Sequence, residues 1–407
     1  MAAARLFAFA LLLATVAGHP HTAAARSRPL GLPWAGSLEG GIPMRAEGRH
    51  FFTWDPVLRR SPNRAWRRYA TDRLVRLVLR VVDSYAAAHP GAPRVGIGDL
   101  SRPQGGDFGV RYGWPGHVSH QNGLDVDVYY PRIDGRERPP DSPEQIARPL
   151  AQDLVNRFVR AGASRIFVGP RTGLVGPQRV VQILPFHDNH LHVRIPAPAP
   201  PWQVLGRSER GRPIRLVELG NRRATRVLVV GCIHGTECAG RAVVRLLSRM
   251  PEPLHVDLWL VDDLNPDGFA AGTRQNARGV DLNRNFASQW RRIGRRWDPQ
   301  YSGPRPLSEP ETRLACALIL RLRPAITIWF HQPQAIVRAW GRSVSAGSRY
   351  ARLASVPFRR LRWPDGSAPN WQNHRFRHSS SFVVELPPAQ LSRAAAARYA
   401  RSVVALP

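Results

Sequence analysis

Five of the chain's 14 histidines fall in two short segments, Gly116-His-Val-Ser-His-Gln-Asn-Gly-Leu-Asp-Val-Asp-Val128 and His187-Asp-Asn-His-Leu-His192. Imidazole nitrogen and carboxylate oxygen are donors that zinc accepts. A catalytic zinc takes three protein ligands and keeps one position for water. In His190-Leu-His192, strand alternation puts both imidazoles on one face, so one can bind metal while the other faces the water or a substrate. Asp125 and Asp127 share a face in the same way. Any one of these histidines alone reads as an ordinary surface or core imidazole. Together they read as a transition-metal site, either catalytic or a histidine-rich binding site without catalysis.

A second set lies further along. Gly231-Cys-Ile-His-Gly-Thr-Glu237 carries a His-x-x-Glu pair, His234 and Glu237, on a tight turn where both can serve as zinc ligands. That spacing arises often by chance, and its company is what gives it weight. Asn265-Pro-Asp-Gly268 marks a turn. Arg274-Gln-Asn-Ala-Arg-Gly-Val-Asp-Leu-Asn-Arg-Asn285, Trp329-Phe-His-Gln-Pro333 and Phe382-Val-Val-Glu-Leu-Pro387 follow. Neither set has a serine or cysteine arranged as a nucleophile. The chemistry expected of both is metal-assisted amide hydrolysis without a covalent intermediate.

The elements that must position these groups divide at Pro196-Ala-Pro-Ala-Pro-Pro201, which can neither continue a helix nor pair as a central strand. Before it, Asn63 to Ala88 reads as a helix with an apolar stripe of Leu74, Val75, Leu77, Val78 and Val81. Pro143 to Ala161 reads as a second helix. Arg165–Gly169, Val180–Leu184 and Leu191–Ile195 read as short strands, and a Gly-rich loop runs from Gly105 to Gly123. This predicts a small α+β domain over 30–195 and a linker over 196–202. After it, strands at Arg226–Val230, Val256–Val261, Ile326–Phe330 and Phe382–Leu386 alternate with helices at Cys238–Arg249, Glu309–Leu322 and Ser392–Leu406. That alternation predicts an α/β domain with a mostly parallel mixed sheet over 203–407. His234, His331 and Glu385 then fall at the carboxyl ends of strands, where such sheets bind ligands.

Length and composition suit this picture. The chain has 407 residues, 43% of them hydrophobic, which is enough for two domains with real cores. The apolar run from Phe7 to Val16, preceded by Arg5 and followed by small residues to Ala25, predicts a secretory signal peptide over 1–25. No later run approaches the length of a membrane span. The net charge is +30 and no residue is lysine, so every cation besides histidine is arginine. Such a charge favours anionic polymers, and for an exported chain the nearest is the cell wall. No nucleic-acid-binding motif is present, and no nucleic-acid partner is expected. Of the three cysteines, Cys232 and Cys238 flank the His-x-x-Glu pair and could bond to each other, though they read first as small core residues. None has structural-zinc spacing.

Ser119-His-Gln-Asn-Gly-Leu-Asp-Val-Asp127, Ser101-Arg-Pro-Gln-Gly-Gly106 and the His187, His190, His192 series resemble penicillin-insensitive murein endopeptidases, of the lysostaphin and D-Ala-D-Ala metallopeptidase group. The resemblance spans roughly residues 35 to 195. It implies His120, Asp127 and His192 as zinc ligands, His190 as the catalytic imidazole, and His117 and His187 as residues lining the site. It also implies a small metallopeptidase fold and cleavage of peptidoglycan cross-links between D-Ala and diaminopimelate.

The second set, with its entry Gly206-Arg-Ser-Glu-Arg-Gly-Arg-Pro-Ile214, resembles the zinc carboxypeptidase family over residues 203 to 407, particularly its short bacterial members that cleave murein peptides. The resemblance implies His234, Glu237 and His331 as zinc ligands and Asp281 as the partner that orients His234. It implies Glu385 as general base, Arg274 as oxyanion stabiliser, and Asn283 and Arg284 as holders of a substrate carboxylate. The family's closing phenol has no counterpart between His331 and Glu385 other than Tyr350, and His374 and His378 have no assigned role. Together the resemblances imply a secreted, periplasmic or wall-associated peptidase with two zinc ions, one per domain. Its N-terminal domain would cut cross-links. Its C-terminal domain would trim stem peptides, as a carboxypeptidase or at the γ-D-Glu–diaminopimelate bond. The alternatives are a general secreted zinc carboxypeptidase with a non-catalytic wall-binding N-terminal domain, and a wall-binding protein with degenerate sites.

Overall fold

The computed structural model describes residues 27–113, 116–199 and 201–407. The expected signal peptide lies outside the described residues, as does Pro200 of the expected linker. Two separate apolar clusters form, one from residues between Met44 and Ile195 and one from residues between Ile214 and Leu406. No helix among the described residues is long and apolar enough to cross a membrane.

The first cluster is built on a seven-stranded sheet. Its centre is the antiparallel pair Asp125–Tyr129 and His190–Arg194, in which Asp127 faces His192 and Asp125 faces Arg194 across the ladder. Cross-strand partners on one face stand within about 5 Å, so this register brings Asp127 and His192 together, while His120 comes from the loop before the first of these strands. Helices Asp72–Ala88 and Arg148–Arg160 bury Leu74, Leu77, Val78, Val81, Leu154, Val155 and Phe158 against the sheet. The first helix begins at Asp72, later than the Asn63 start expected from the sequence, and contains the whole apolar stripe. Thr71 caps it, the hydroxyl accepting from Leu74 N at 3.2 Å. Residues 65–67 form a separate 3₁₀ turn. That turn delivers Arg67, almost fully buried, to Asp99. A buried ion pair across the fold overrides the local helical pattern here.

The second cluster is built on an eight-stranded mixed sheet. Val256–Val261, Thr225–Val230, Ile326–His331 and Ser380–Glu385 lie parallel at its centre. The middle pairs place His331 beside Glu385 in register. Antiparallel neighbours flank this core, Pro213–Gly220 on one side and Ile336–Ala339 on the other. Helices Gly240–Leu247, Pro310–Leu322 and Arg393–Val404 cover it, the last capped by Ser392 Oγ accepting from Ala395 N. The sequence pattern missed the hairpin of Gln203–Arg207 with Pro213–Gly220, strands Ile336–Ala339 and Phe358–Arg360, and helices Val344–Ala354 and Ala368–Arg375.

Candidate metal centres

In the first domain three donor atoms converge. His120 Nε2, Asp127 Oδ1 and His192 Nδ1 are each 3.2 Å from the other two. The rings' other nitrogens are occupied. His120 Nδ1 meets the carbonyl of Leu100, which can only accept, and His192 Nε2 meets Asp125 Oδ1 at 3.0 Å. With the outward nitrogens so occupied, the neutral form of each imidazole turns a lone pair inward. Asp127 Oδ1 is buried without a hydrogen-bond partner. Three electron-rich atoms facing one another in a buried space repel unless a cation lies among them. Zinc bonds of about 2.0–2.2 Å at tetrahedral angles put ligand atoms about 3.3 Å apart, so the residues fit zinc.

The backbone contributes. His120 adopts φ +66°, a left-handed conformation that costs a non-glycine residue about 1 kcal/mol or more. Its amide donates to Asp125 Oδ2 at 3.2 Å. Asp125 thereby holds His120 through the main chain and His192 through the ring, and it pairs with Arg194 at 2.6 Å.

His190 Nε2 lies 3.7 Å from Asp127 Oδ1, at the edge of the trio. His117 Nε2 bonds to the fully buried Asp99 at 2.8 Å and stands 3.8 Å from Asp127 Oδ2, so it is a fourth nearby donor. His187 packs on His190 with ring centroids 4.8 Å apart. Burial opposes the charge on Asp127, but the imidazoles of His120, His190 and His117 hold its carboxyl well below the usual range. Burial pushes His190 down to about 3, leaving that ring neutral. His192 is also buried, yet its bonds to Asp125 and Asp127 raise it to about 9.

In the second domain Glu237 Oε2 lies 3.0 Å from both His234 Nδ1 and His331 Nδ1. His234 Nε2 donates to Asp281 Oδ1 at 2.8 Å, so its Nδ1 presents a lone pair to a carboxylate oxygen. This set also fits a cation. Burial works against ionised Glu237, but His234 and His331 hold its carboxyl far below the usual range. Arg274 pairs with Glu237 and reaches Asp281 Oδ2 at 3.1 Å. Asn283 Nδ2 stands 3.4 Å from His331 Nε2, and its Oδ1 accepts from Ala368 N at 2.9 Å. Arg284 Nη1 donates to Asn283 O. Glu385 Oε2 is buried without a partner and faces the same cavity, about 280 Å³ in volume.

Several residues stand differently from the sequence reading. Cys232 and Cys238 are joined by a disulfide that brackets His234 and Glu237, where small core thiols were expected first. Six residues of separation let one turn bring them together. Tyr350 is fully buried with its hydroxyl on Tyr399 O, so it offers no phenol to the cavity. His374 and His378 are exposed and outside the lining. Sequence reasoning missed Asp99, the Leu100 carbonyl, the orienting role of Asp125, and Arg338. Only Asp125 had a signal, its period-two relation to Asp127.

Residues 202–359 match the sequence profile of the zinc carboxypeptidase family, and residues 29–166 match that of the penicillin-insensitive murein endopeptidases. Murein peptide amidase A of Vibrio campbellii is 33% identical over 199 residues, covering 45% of this chain and 78% of that protein. Murein peptide amidase A of Escherichia coli K12 is 34% identical over 149 residues, 34% of this chain and 62% of that protein. The penicillin-insensitive murein endopeptidase of Salmonella heidelberg is 32% identical over 146 residues, 28% of this chain. The matched part spans 62% of the length of the E. coli amidase and half that of the endopeptidase.

Proposed function

The chain belongs to the zinc carboxypeptidase family through its C-terminal half, and from that premise we propose that it is a secreted two-site zinc peptidase of peptidoglycan. The first domain, read as an α+β metallopeptidase over 30–195, cuts D-Ala–diaminopimelate cross-links. The second, over 203–407, trims the stem peptide, as a carboxypeptidase or at the γ-D-Glu–diaminopimelate bond. The observation that carries the reading is that each apolar core closes its own trio of inward-facing metal donors. The net charge of +30 supports residence among anionic wall polymers, in the periplasm or at the wall.

His120, Asp127 and His192 would hold one zinc, and His234, Glu237 and His331 would hold the other. Bound zinc supplies Lewis-acid polarisation of the amide carbonyl and activation of water. In the second site Glu385, with its unpaired Oε2, takes the proton of the attacking water and returns it to the leaving amine. Arg274 faces the developing oxyanion. Arg284, backed by Asn283, holds a substrate carboxylate in its planar fork. Asp281 fixes the tautomer of His234, and Asp125 that of His192. In the first site the neutral His190 polarises water or the oxyanion, and His117 and His187 line the substrate path.

Zinc analysis of the purified chain tests this. Two zinc ions per chain are expected, with one lost in His120→Ala and the other lost in His331→Ala. One zinc in the parent supports a wall tether fused to a single peptidase, and none contradicts both sites.

A further inference from the structure

The second cavity holds three guanidiniums, those of Arg274, Arg284 and Arg338. They are not equally engaged. Arg274 pairs with Glu237, reaches Asp281 through two nitrogens, and donates to Pro299 O at 3.1 Å. Arg284 donates one hydrogen bond, to Asn283 O. Arg338 stands on strand Ile336–Ala339, opposite Val383 and two positions from the residue that faces Glu385. The period of two puts Arg338 on the cavity face with those side chains. Its Nη1 is 3.5 Å from Glu385 Oε1, and its Nε is buried without a partner. A guanidinium carries five N–H donors, so Arg284 and Arg338 both face the cavity with unmatched donors.

Resting on the peptidase reading of this site, we propose that Arg338 is a specificity-determining residue, the receptor for a second substrate carboxylate distinct from the one held by Arg284. Burial and the neighbouring cations Arg274 and Arg338 lower the Arg284 guanidinium from its usual value, a measure of how closely the positive charges are gathered. A substrate with one carboxylate leaves the other guanidinium's free donors unmatched, and the carboxylate that Arg338 then meets is Glu385 Oε1 at 3.5 Å. A substrate with a free carboxylate on each side of the scissile amide satisfies both. An amide formed through a side-chain carboxyl provides this, because the acyl residue keeps its own α-carboxylate, a few carbons from the reacting carbonyl. An ordinary α-peptide bond does so only where the acyl residue has an acidic side chain.

The test compares two γ-glutamyl-diaminopimelate substrates that differ only at the glutamyl α-carboxyl, free in one and carboxamide in the other. The zinc-loaded parent is expected to favour the free acid about 10- to 100-fold in kcat/KM, the size of a charge-assisted contact. Arg338→Gln should collapse that ratio toward one, and Arg338→Lys should restore part of it. Calorimetric binding of both compounds to Glu385→Gln, with and without Arg338→Gln, should show the same closing gap without turnover. Equal losses on both substrates in Arg338→Gln, or an undiminished ratio, overturn the role of Arg338 while leaving the peptidase reading intact. If the zinc-loaded parent cleaves neither compound, nor any stem peptide, the reading and the inference fall together.

Discussion

Asp281→Asn isolates what one buried carboxylate does for the second metal centre. Asp281 is fully buried, and its Oδ1 accepts from His234 Nε2 at 2.8 Å and from Asn283 N at 2.9 Å. Its Oδ2 faces Arg274 Nη2 at 3.1 Å and Nε at 3.3 Å. An asparagine oxygen can keep the first two bonds, but its amide then turns two N–H groups toward a guanidinium. Loss of such an orienting partner typically lowers metal affinity about 10- to 100-fold. The stability cost stays below the roughly 3–5 kcal/mol of a fully buried broken pair. Arg274 retains Glu237 and is part-exposed, so about 1–2 kcal/mol is expected. Burial opposes the Asp281 charge, but His234 and Arg274 hold its carboxyl below the usual range. A depressed folded pKa stabilises above the unfolded value and is lost as pH falls through the folded one. The stability gap between parent and variant should therefore persist from neutral pH to about 4 and close below it. The assay is chelator competition for zinc in a His120→Ala background, where only the second site reports. Unchanged zinc affinity in Asp281→Asn would refute the reasoning.

Two further perturbations probe the scaffold. Asp99→Asn leaves the almost fully buried Arg67 without its counter-charge and His117 without its anchor, so the first domain should lose about 3–5 kcal/mol in urea unfolding; a loss under 1 kcal/mol contradicts this. Burial raises Asp263 to about 6, only partly offset by Arg241 at 3.5 Å. Ionised Asp263 thus destabilises the fold above pH 6 and not below about 4. Asp263→Asn should stabilise the second domain by about 2 kcal/mol at pH 8, a gain that disappears by pH 4. Equal melting temperatures of parent and variant at pH 8 would count against it.

Much of both sites was legible because metal donors cluster in sequence wherever a turn or a two-residue strand period brings them together. His120 and Asp127 share one loop and strand, His190 and His192 share one strand face, and His234 and Glu237 share one turn. Asp281 came only through the family resemblance, and the groups that orient the first site were not legible, because Asp99 and the Leu100 carbonyl act through tertiary contact with no local pattern. Helix Ala368–Arg375 illustrates the same limit in the fold. It is held by buried amides, with Gln372 donating to Thr327 at 2.8 Å and Ser379 at 2.7 Å, so it shows no apolar stripe. Strand Phe358–Arg360 is short, arginine-rich and largely exposed. Arg338 escaped notice because its strand, Ile336–Ala339, was itself invisible.

We propose that one chain carries two independent hydrolases for one polymer. Mass spectrometry of muropeptides after digestion of purified peptidoglycan tests it most directly. His120→Ala should abolish cross-link cleavage and leave stem-peptide trimming, while Glu385→Gln should abolish trimming and leave cross-link cleavage. Cross-link cleavage at the parent rate in His120→Ala, or trimming at the parent rate in Glu385→Gln, would contradict it.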